Sequence, residues 1–256
     1  MNRKLVLIDG RPVRFREAGA GVPLVILSGL GLSSNFYQEN LLGLARHGIR
    51  AIAPDLPGFG GSPGQFTGMN IAEATAWAVE FCSTLKIARA FFLGHSIGCQ
   101  IAIRLGAEHP HRTLGLILSG PTGARRHRLL HQSSALARIA LREGTHVLRK
   151  VALDYLHTTP SQYAGWWVRA ARDRPLDIAA AVKAPVLVLI GSDDPVPTPD
   201  FIAELMQRLP NAELSEITGG LHALPIEQPA EFNRRVAVFV RRFEGRALND
   251  KAKPLP

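Results

Sequence analysis

Short apolar runs bounded by Gly and Pro, separated by segments with helical spacing, constrain this chain more than any other feature. They lie at Pro23 to Leu27, Ile49 to Ala53, Ala90 to Leu93, Leu114 to Leu118 and Pro185 to Ile190. Runs this short suit buried strands, and their alternation with amphipathic segments predicts an α/β fold, a mostly parallel sheet with helices on both faces. The spacing predicts crossover helices over Phe36 to Arg46, Ile71 to Lys86, Ile97 to His109, Asp200 to Leu209 and Pro229 to Phe243. In the second of these, Ile71, Ala74, Thr75, Ala78, Val79, Cys82 and Leu85 share one stripe, which makes Cys82 a small core residue. Ahead of the first buried run, Lys4 to Ile8 and Val13 to Arg16 flank Asp9-Gly10. That dipeptide favours a tight hairpin, so the sheet is expected to begin antiparallel.

With 256 residues, 46% of them apolar and 20% charged, the chain is long enough for one globular core, and disorder, collagen and coiled coil are excluded. Cys82 and Cys99 are its two cysteines, too few for a disulfide framework and not in a Cys-x-x-Cys pair. No signal peptide fits the first ten residues. The apolar runs fall far short of the roughly 20 residues that span a bilayer. The expected location is the cytoplasm. The alternation stops between Gly123 and Ala180, where three short helices are expected: Arg128 to Leu141, Thr145 to Leu156 and Pro160 to Arg172. These divide the chain into a core, 1–122 with 181–256, and a helical insertion, 123–180, after the sixth strand. The insertion holds ten basic and four acidic residues, so +6 of the net +9 sits on it.

Chemistry concentrates at Gly94-His95-Ser96-Ile97-Gly98, between the end of a strand and the start of a helix. A turn this tight tolerates no bulk at either glycine, lifts the Ser96 hydroxyl clear of the sheet and leaves the Ile97 N–H at a helix N-terminus, where negative charge is favoured. A serine hydroxyl is a weak nucleophile and needs a base oriented by a carboxylate. His222 follows the strand Ala212 to Ile217 through Gly219-Gly220, so it faces the same sheet edge as Ser96. His95 should point the other way, as alternate residues do on leaving a strand. His109 and His111 flank Pro110 beyond a helix end, and His127, His131, His146 and His157 lie in the insertion; solvated surface is the expectation for all six. Asp193 and Asp194 follow the strand Pro185 to Ile190 at that edge. Only one of the two can reach the imidazole; the other is expected to cap its loop.

The chain order Ser96, Asp, His222 is that of the α/β-hydrolase superfamily, which nearly the whole chain resembles. The resemblance implies an eight-stranded-type sheet with a helical cap, and it picks Asp194 as the acid. Leu221 to Pro229 is similar to the family's catalytic histidine loop. Asp55-Leu56-Pro57-Gly58-Phe59-Gly60-Gly61-Ser62 is similar to its Asp-x-x-Gly-x-Gly-x-Ser turn, which makes Asp55 structural. Many members carry His-Gly after the first buried strand, whereas this chain has Ser28-Gly29-Leu30-Gly31. The oxyanion donor expected there, the backbone N–H of Leu30, does not depend on that side chain.

The resemblance thus implies a serine hydrolase acting on a carboxylic ester, lactone or thioester through an acyl-enzyme, with backbone donors at Leu30 and Ile97 and no metal or organic cofactor. Serine at position 96 argues against relatives that use aspartate. Carbon-carbon hydrolysis of ring-fission products ranks lower, because Ala223 stands where those enzymes usually carry Trp and Leu30-Gly31-Leu32 departs from their Gly-Pro-Gly-rich loop. Proline iminopeptidase activity is disfavoured by the scarcity of acids in the cap. A ligand receptor on the same fold is the remaining alternative. Trp166, Trp167, Tyr155 and Tyr163 are candidates for a substrate pocket, with plain packing of the cap the competing role. The basic cap, through Arg169, suits an anionic small-molecule substrate; a solvated helical face is the simpler explanation of the charge. No recognition motif accompanies the charge, so nucleic-acid binding is not expected.

Overall fold

The computed structural model describes residues 1–63, 68–123, 142 and 144–249. Its sheet has eight strands in the order β1-β2-β4-β3-β5-β6-β7-β8. These are β1 Asn2–Ile8, β2 Arg11–Ala18, β3 Val22–Leu27, β4 Ile49–Pro54, β5 Ala90–His95, β6 Thr113–Ser119, β7 Val186–Gly191 and β8 Ala212–Ile217. β2 pairs antiparallel with β1 and with β4, and every later pairing is parallel. The sheet therefore begins antiparallel, as expected, and Asp9 and Gly10 both take the left-handed conformation that a two-residue hairpin turn requires.

Strand alternation sorts the core into two layers. Val25, Leu27, Ile52, Phe92, Leu116, Leu118 and Val188 face one side, while Leu24, Ile26, Ala51, Ala53, Phe91, Ile117 and Leu187 face the other. The first layer is covered by α2 Ile71–Thr84, α3 Gly98–Glu108 and α7 Pro199–Arg208; the second by α1 Gln38–Ala45 and α9 Pro229–Asn249. Burial on both faces explains the unbroken apolar runs of β3, β5, β6 and β7. Asn70 and Glu73 form a reciprocal capping box that starts α2. Cys82 is buried in the first layer.

Between β6 and β7 lie α4 Thr145–Tyr155, α5 Pro160–Ala170 and α6 Pro175–Ile178; the helix expected over 128–141 lies outside the described residues. Thr159 caps α5 with Gln162, and Pro160 takes the first helical position, where a missing N–H costs nothing. These helices rest on the loops that follow β3 and β4. Asp154 of α4 accepts from Ser33, and the Trp166 ring of α5 packs 5.2 Å from that of Phe59 while its Nε1–H donates to the Pro57 carbonyl at 3.2 Å. Among the described residues no helix is long and apolar enough to cross a membrane.

Candidate active site

At the exit of β5 the chain turns into α3 within two residues, and Ser96 takes φ +54°. A non-glycine residue pays about 1–2 kcal/mol for that conformation. Close packing enforces it. A Cβ at Gly98 would run into the carbonyl of Leu27, at the end of β3, and one at Gly94 into the backbone of Gly98 and Cys99. The Ser96 N–H donates to the Ser119 carbonyl at 2.9 Å, tying the turn to β6. Ser96 stays half-exposed among buried neighbours. The Ile97 N–H sits at the mouth of α3, where the first N–H groups have no acceptor within the helix. The Cys99 thiol donates to the carbonyls of Gly94 and Ser119, and burial pushes its pKa up, so it is a packed core group.

The loops after β7 and β8 meet beside this turn. Nδ1–H of His222 donates to Oδ2 of Asp194 at 2.8 Å, because a carboxylate oxygen can only accept. The other Asp194 oxygen accepts the Val196 N–H at 2.9 Å, and its side chain is fully buried. Asp193 is exposed instead, taking the Ser192 hydroxyl at 3.0 Å and Arg142 at 3.3 Å. With Nδ1 protonated, Nε2 is the nitrogen left basic. The His222 ring lies 5.4 Å from that of His95, the residue immediately before Ser96. The histidine loop is held from below: Glu227, in α8 Leu224–Glu227, accepts the Leu221 N–H at 2.9 Å, and Gln228 donates to the Thr218 carbonyl at 3.0 Å. Burial raises the Glu227 pKa above its ordinary value. Gly120, just beyond β6, backs the pair. A Cβ there would lie 3.0 Å from both Cε1 and Nδ1 of His222 and 3.3 Å from Oδ2 of Asp194.

The third wall is the loop after β3. A Cβ at Gly29 would be 3.4 Å from Cβ of Ser96, so the Ser28 to Gly31 backbone runs alongside the serine. Four anchors set this loop. Tyr37 Oη accepts the Gly29 N–H at 3.2 Å; Asp154 accepts the Ser33 N–H at 2.8 Å and its hydroxyl at 2.5 Å; Asp55 accepts the Ser34 N–H at 2.6 Å; and the Tyr155 ring lies over Gly31, where a Cβ would be 2.7 Å from it. The second Asp55 oxygen takes the Gly61 N–H, so this carboxylate is occupied by backbone. Burial raises the Asp154 pKa despite its two donors.

Ser96, His222, Asp194, Leu30 and Ile97 are thus brought to one edge of the sheet. The substrate candidates of the insertion lie apart from one another in character: Trp166 is fully buried against Phe59, whereas Trp167 and Arg169 are half-buried. His146, His157 and His111 are exposed and His109 half-buried, while 127 and 131 lie outside the described residues. Arg142 and Lys150 pair with Asp193 and Glu39; Arg125, Arg126, Arg128 and Arg138 lie outside the described residues. Among the described residues no three His, Cys, Asp or Glu side chains are grouped to hold a metal ion. Tyr37, Gly120 and Asp154 carried no motif in the sequence, and Glu227 lay in the histidine-loop stretch with no role assigned to it. A glycine two residues beyond the predicted buried run Leu114 to Leu118 was the one signal, at Gly120.

The family described as Alpha/beta hydrolase family is matched over residues 24–235. Over 123 residues the chain is 37% identical to a protein of Mycobacterium phage D29 assigned provisionally as a non-heme haloperoxidase, a match covering 48% of this chain and 44% of that protein. It is 27% identical to the 2-hydroxy-6-oxononadienedioate/2-hydroxy-6-oxononatrienedioate hydrolase of Burkholderia vietnamiensis, covering 93% and 94% of the two chains. In fold it is similar to the enol-lactonase from Burkholderia xenovorans LB400, with TM-score 0.81, 22% identity, and 93% of this chain and all of that one covered.

Proposed function

Because this chain belongs to the alpha/beta hydrolase family, we propose that it is a serine hydrolase cleaving a carboxylic ester, lactone or thioester of a small molecule. The observation that carries the reading is the buried Asp194–His222 hydrogen bond of 2.8 Å beside a serine in a strained strand-to-helix turn. In the proposed reaction Nε2 of His222 takes the Ser96 proton as Oγ attacks the substrate carbonyl carbon. Asp194 holds Nδ1–H and stabilises the imidazolium that forms. The oxyanion accepts from the N–H groups of Leu30 and Ile97, each such donor being worth about a hundredfold to a thousandfold in rate. His222 then protonates the leaving group, giving an acyl-enzyme, and returns as base to activate the water that releases the acid. The insertion, 123–180, acts as a cap through α4, α5 and α6, with Trp167 and Arg169 facing the substrate and Trp166 anchoring the cap to the core.

The test is a panel of aryl esters, lactones and acyl thioesters turned over by wild type and by Ser96→Ala. Turnover lost in Ser96→Ala supports the reading; turnover that survives the substitution, or none on any substrate, refutes it. A second reading, carbon-carbon bond hydrolysis with the same residues, is favoured by the 27% identity to the Burkholderia vietnamiensis enzyme over 93% of this chain. A ring-fission dienedioate cleaved faster than every ester would replace the first reading with the second.

A further inference from the structure

We propose that Tyr37 and His95 form a buried strut that sets the oxyanion loop against the histidine loop, making both of them positioning residues. The inference rests on the serine-hydrolase reading above. His95 Nε2 lies 3.0 Å from the main-chain carbonyl oxygen of His222, and that oxygen can only accept, so Nε2 carries the proton. Nδ1 is then a lone pair, and it accepts the Tyr37 hydroxyl at 3.0 Å. The Tyr37 oxygen accepts in turn the Gly29 N–H at 3.2 Å. One proton arrangement satisfies all three bonds. The opposite His95 tautomer would set a lone pair against the His222 carbonyl, and an imidazolium would leave the Tyr37 proton without its acceptor.

The surroundings keep that arrangement. Tyr37 and His95 are 1% and 2% exposed, and the imidazole stacks on Phe36 at 5.7 Å. Burial pushes the His95 pKa down to about 3 and raises that of the Tyr37 phenol, so both rings stay neutral across ordinary working pH. The strut joins places far apart in the chain. Gly29 adjoins Leu30, the proposed oxyanion donor; His95 adjoins Ser96; and the accepting carbonyl belongs to His222 itself. Donor, nucleophile and base therefore share one rigid spacer. Neither ring needs to touch the substrate for that effect, so its loss falls on kcat while KM is spared.

Steady-state hydrolysis of an aryl ester by wild type, Tyr37→Phe, His95→Gln, His95→Ala and Ser96→Ala tests this, with folded fraction followed by circular dichroism. Tyr37→Phe is expected to lose about tenfold or more in kcat at a KM within about twofold of wild type, since misplacement by about 1 Å costs roughly a hundredfold. His95→Gln, whose amide can still donate to the His222 carbonyl, is expected to retain more kcat than His95→Ala. Wild-type kcat in folded Tyr37→Phe and His95→Gln, or losses confined to KM or matching the unfolded fraction, would overturn the strut. Persistent turnover in Ser96→Ala would overturn the hydrolase reading instead. Nitrogen-15 NMR of the wild-type imidazoles decides the matter independently of how any variant folds. His95 must show a protonated Nε2 and a bare Nδ1 at pH 7, and the reverse tautomer overturns the proposal.

Discussion

Gly120→Ala isolates how tightly the imidazole is held. The added methyl would lie 3.0 Å from two atoms of the His222 ring and 3.3 Å from Oδ2 of Asp194. Carbon atoms in ordinary contact lie about 3.5–4.0 Å apart, so the ring must retreat by roughly 0.5 Å. Its Nδ1–H is held at 2.8 Å by a buried carboxylate, so the retreat either stretches that bond or carries Asp194 with it; both misalign Nε2. If about 1 Å of misplacement costs roughly a hundredfold, half of that costs on the order of tenfold in kcat. The backbone adds a second effect, because Ala at φ +54° is strained by about 1–2 kcal/mol. For a chain of this size each kcal/mol lowers Tm by about 2–4 °C. Gly10→Ala separates the two contributions, since Gly10 has φ +72° with no atom within 4 Å of its Cβ position. Both variants should melt a few degrees lower, and only Gly120→Ala should lose kcat on an aryl ester. Equal kcat in the two, at equal loss of Tm, would refute the close seating of His222 on position 120.

Asp194→Asn should cost about a thousandfold to ten-thousandfold in kcat with KM little changed, whereas Asp193→Asn should stay within about twofold; comparable losses in the two would reassign the acid. Replacing Arg169 and Arg172 together by Gln should raise KM for carboxylate-bearing esters and leave neutral esters unaltered, and an equal rise for both would remove the anion-binding role of the cap. His95 links stability to pH. Its folded pKa lies near 3, below its ordinary 6.5, so under pH 6.5 the unfolded chain takes up a proton that the folded chain refuses. The stability contributed is present above pH 6.5 and drains as pH falls, by about 1.4 kcal/mol per unit. Urea unfolding at pH 7 and pH 5 should show a flatter decline in His95→Gln, and an unchanged decline would place the linkage elsewhere.

Strand positions and the serine turn were readable because local rules set them: alternation along each strand chooses a face, and two glycines four residues apart permit the sharp exit of β5. The carboxylate was readable from the resemblance, since a pair of adjacent aspartates offers no local reason to prefer Asp194. Apart from Asp55, the supports were not readable. Gly120 matters through a ring 102 positions further along the chain, and Asp154 through a serine 121 residues earlier. His95 was read only as pointing away from the serine's side, and its bonds to Tyr37 and to His222 cross 58 and 127 residues. Such contacts exist only once the sheet has formed, so no spacing announces them. The aromatic pair Trp166-Trp167 gave an ambiguous signal because neighbours on a helix face different surroundings: one ring is buried on Phe59 and the other is half-buried.

The turn at Ser96 divides its requirements unevenly among its residues. Backbone from β3 and α3 closes in on positions 94 and 98, so bulk is excluded there. Position 96 is half-exposed, is tied to β6 through its N–H, and carries the hydroxyl proposed to react. On the serine-hydrolase reading, cysteine or aspartate installed at 96 would meet the same proposed base and donors on the same scaffold, and the reaction could be exchanged like a tool in a fixed handle. A replacement at either glycine would instead break the handle.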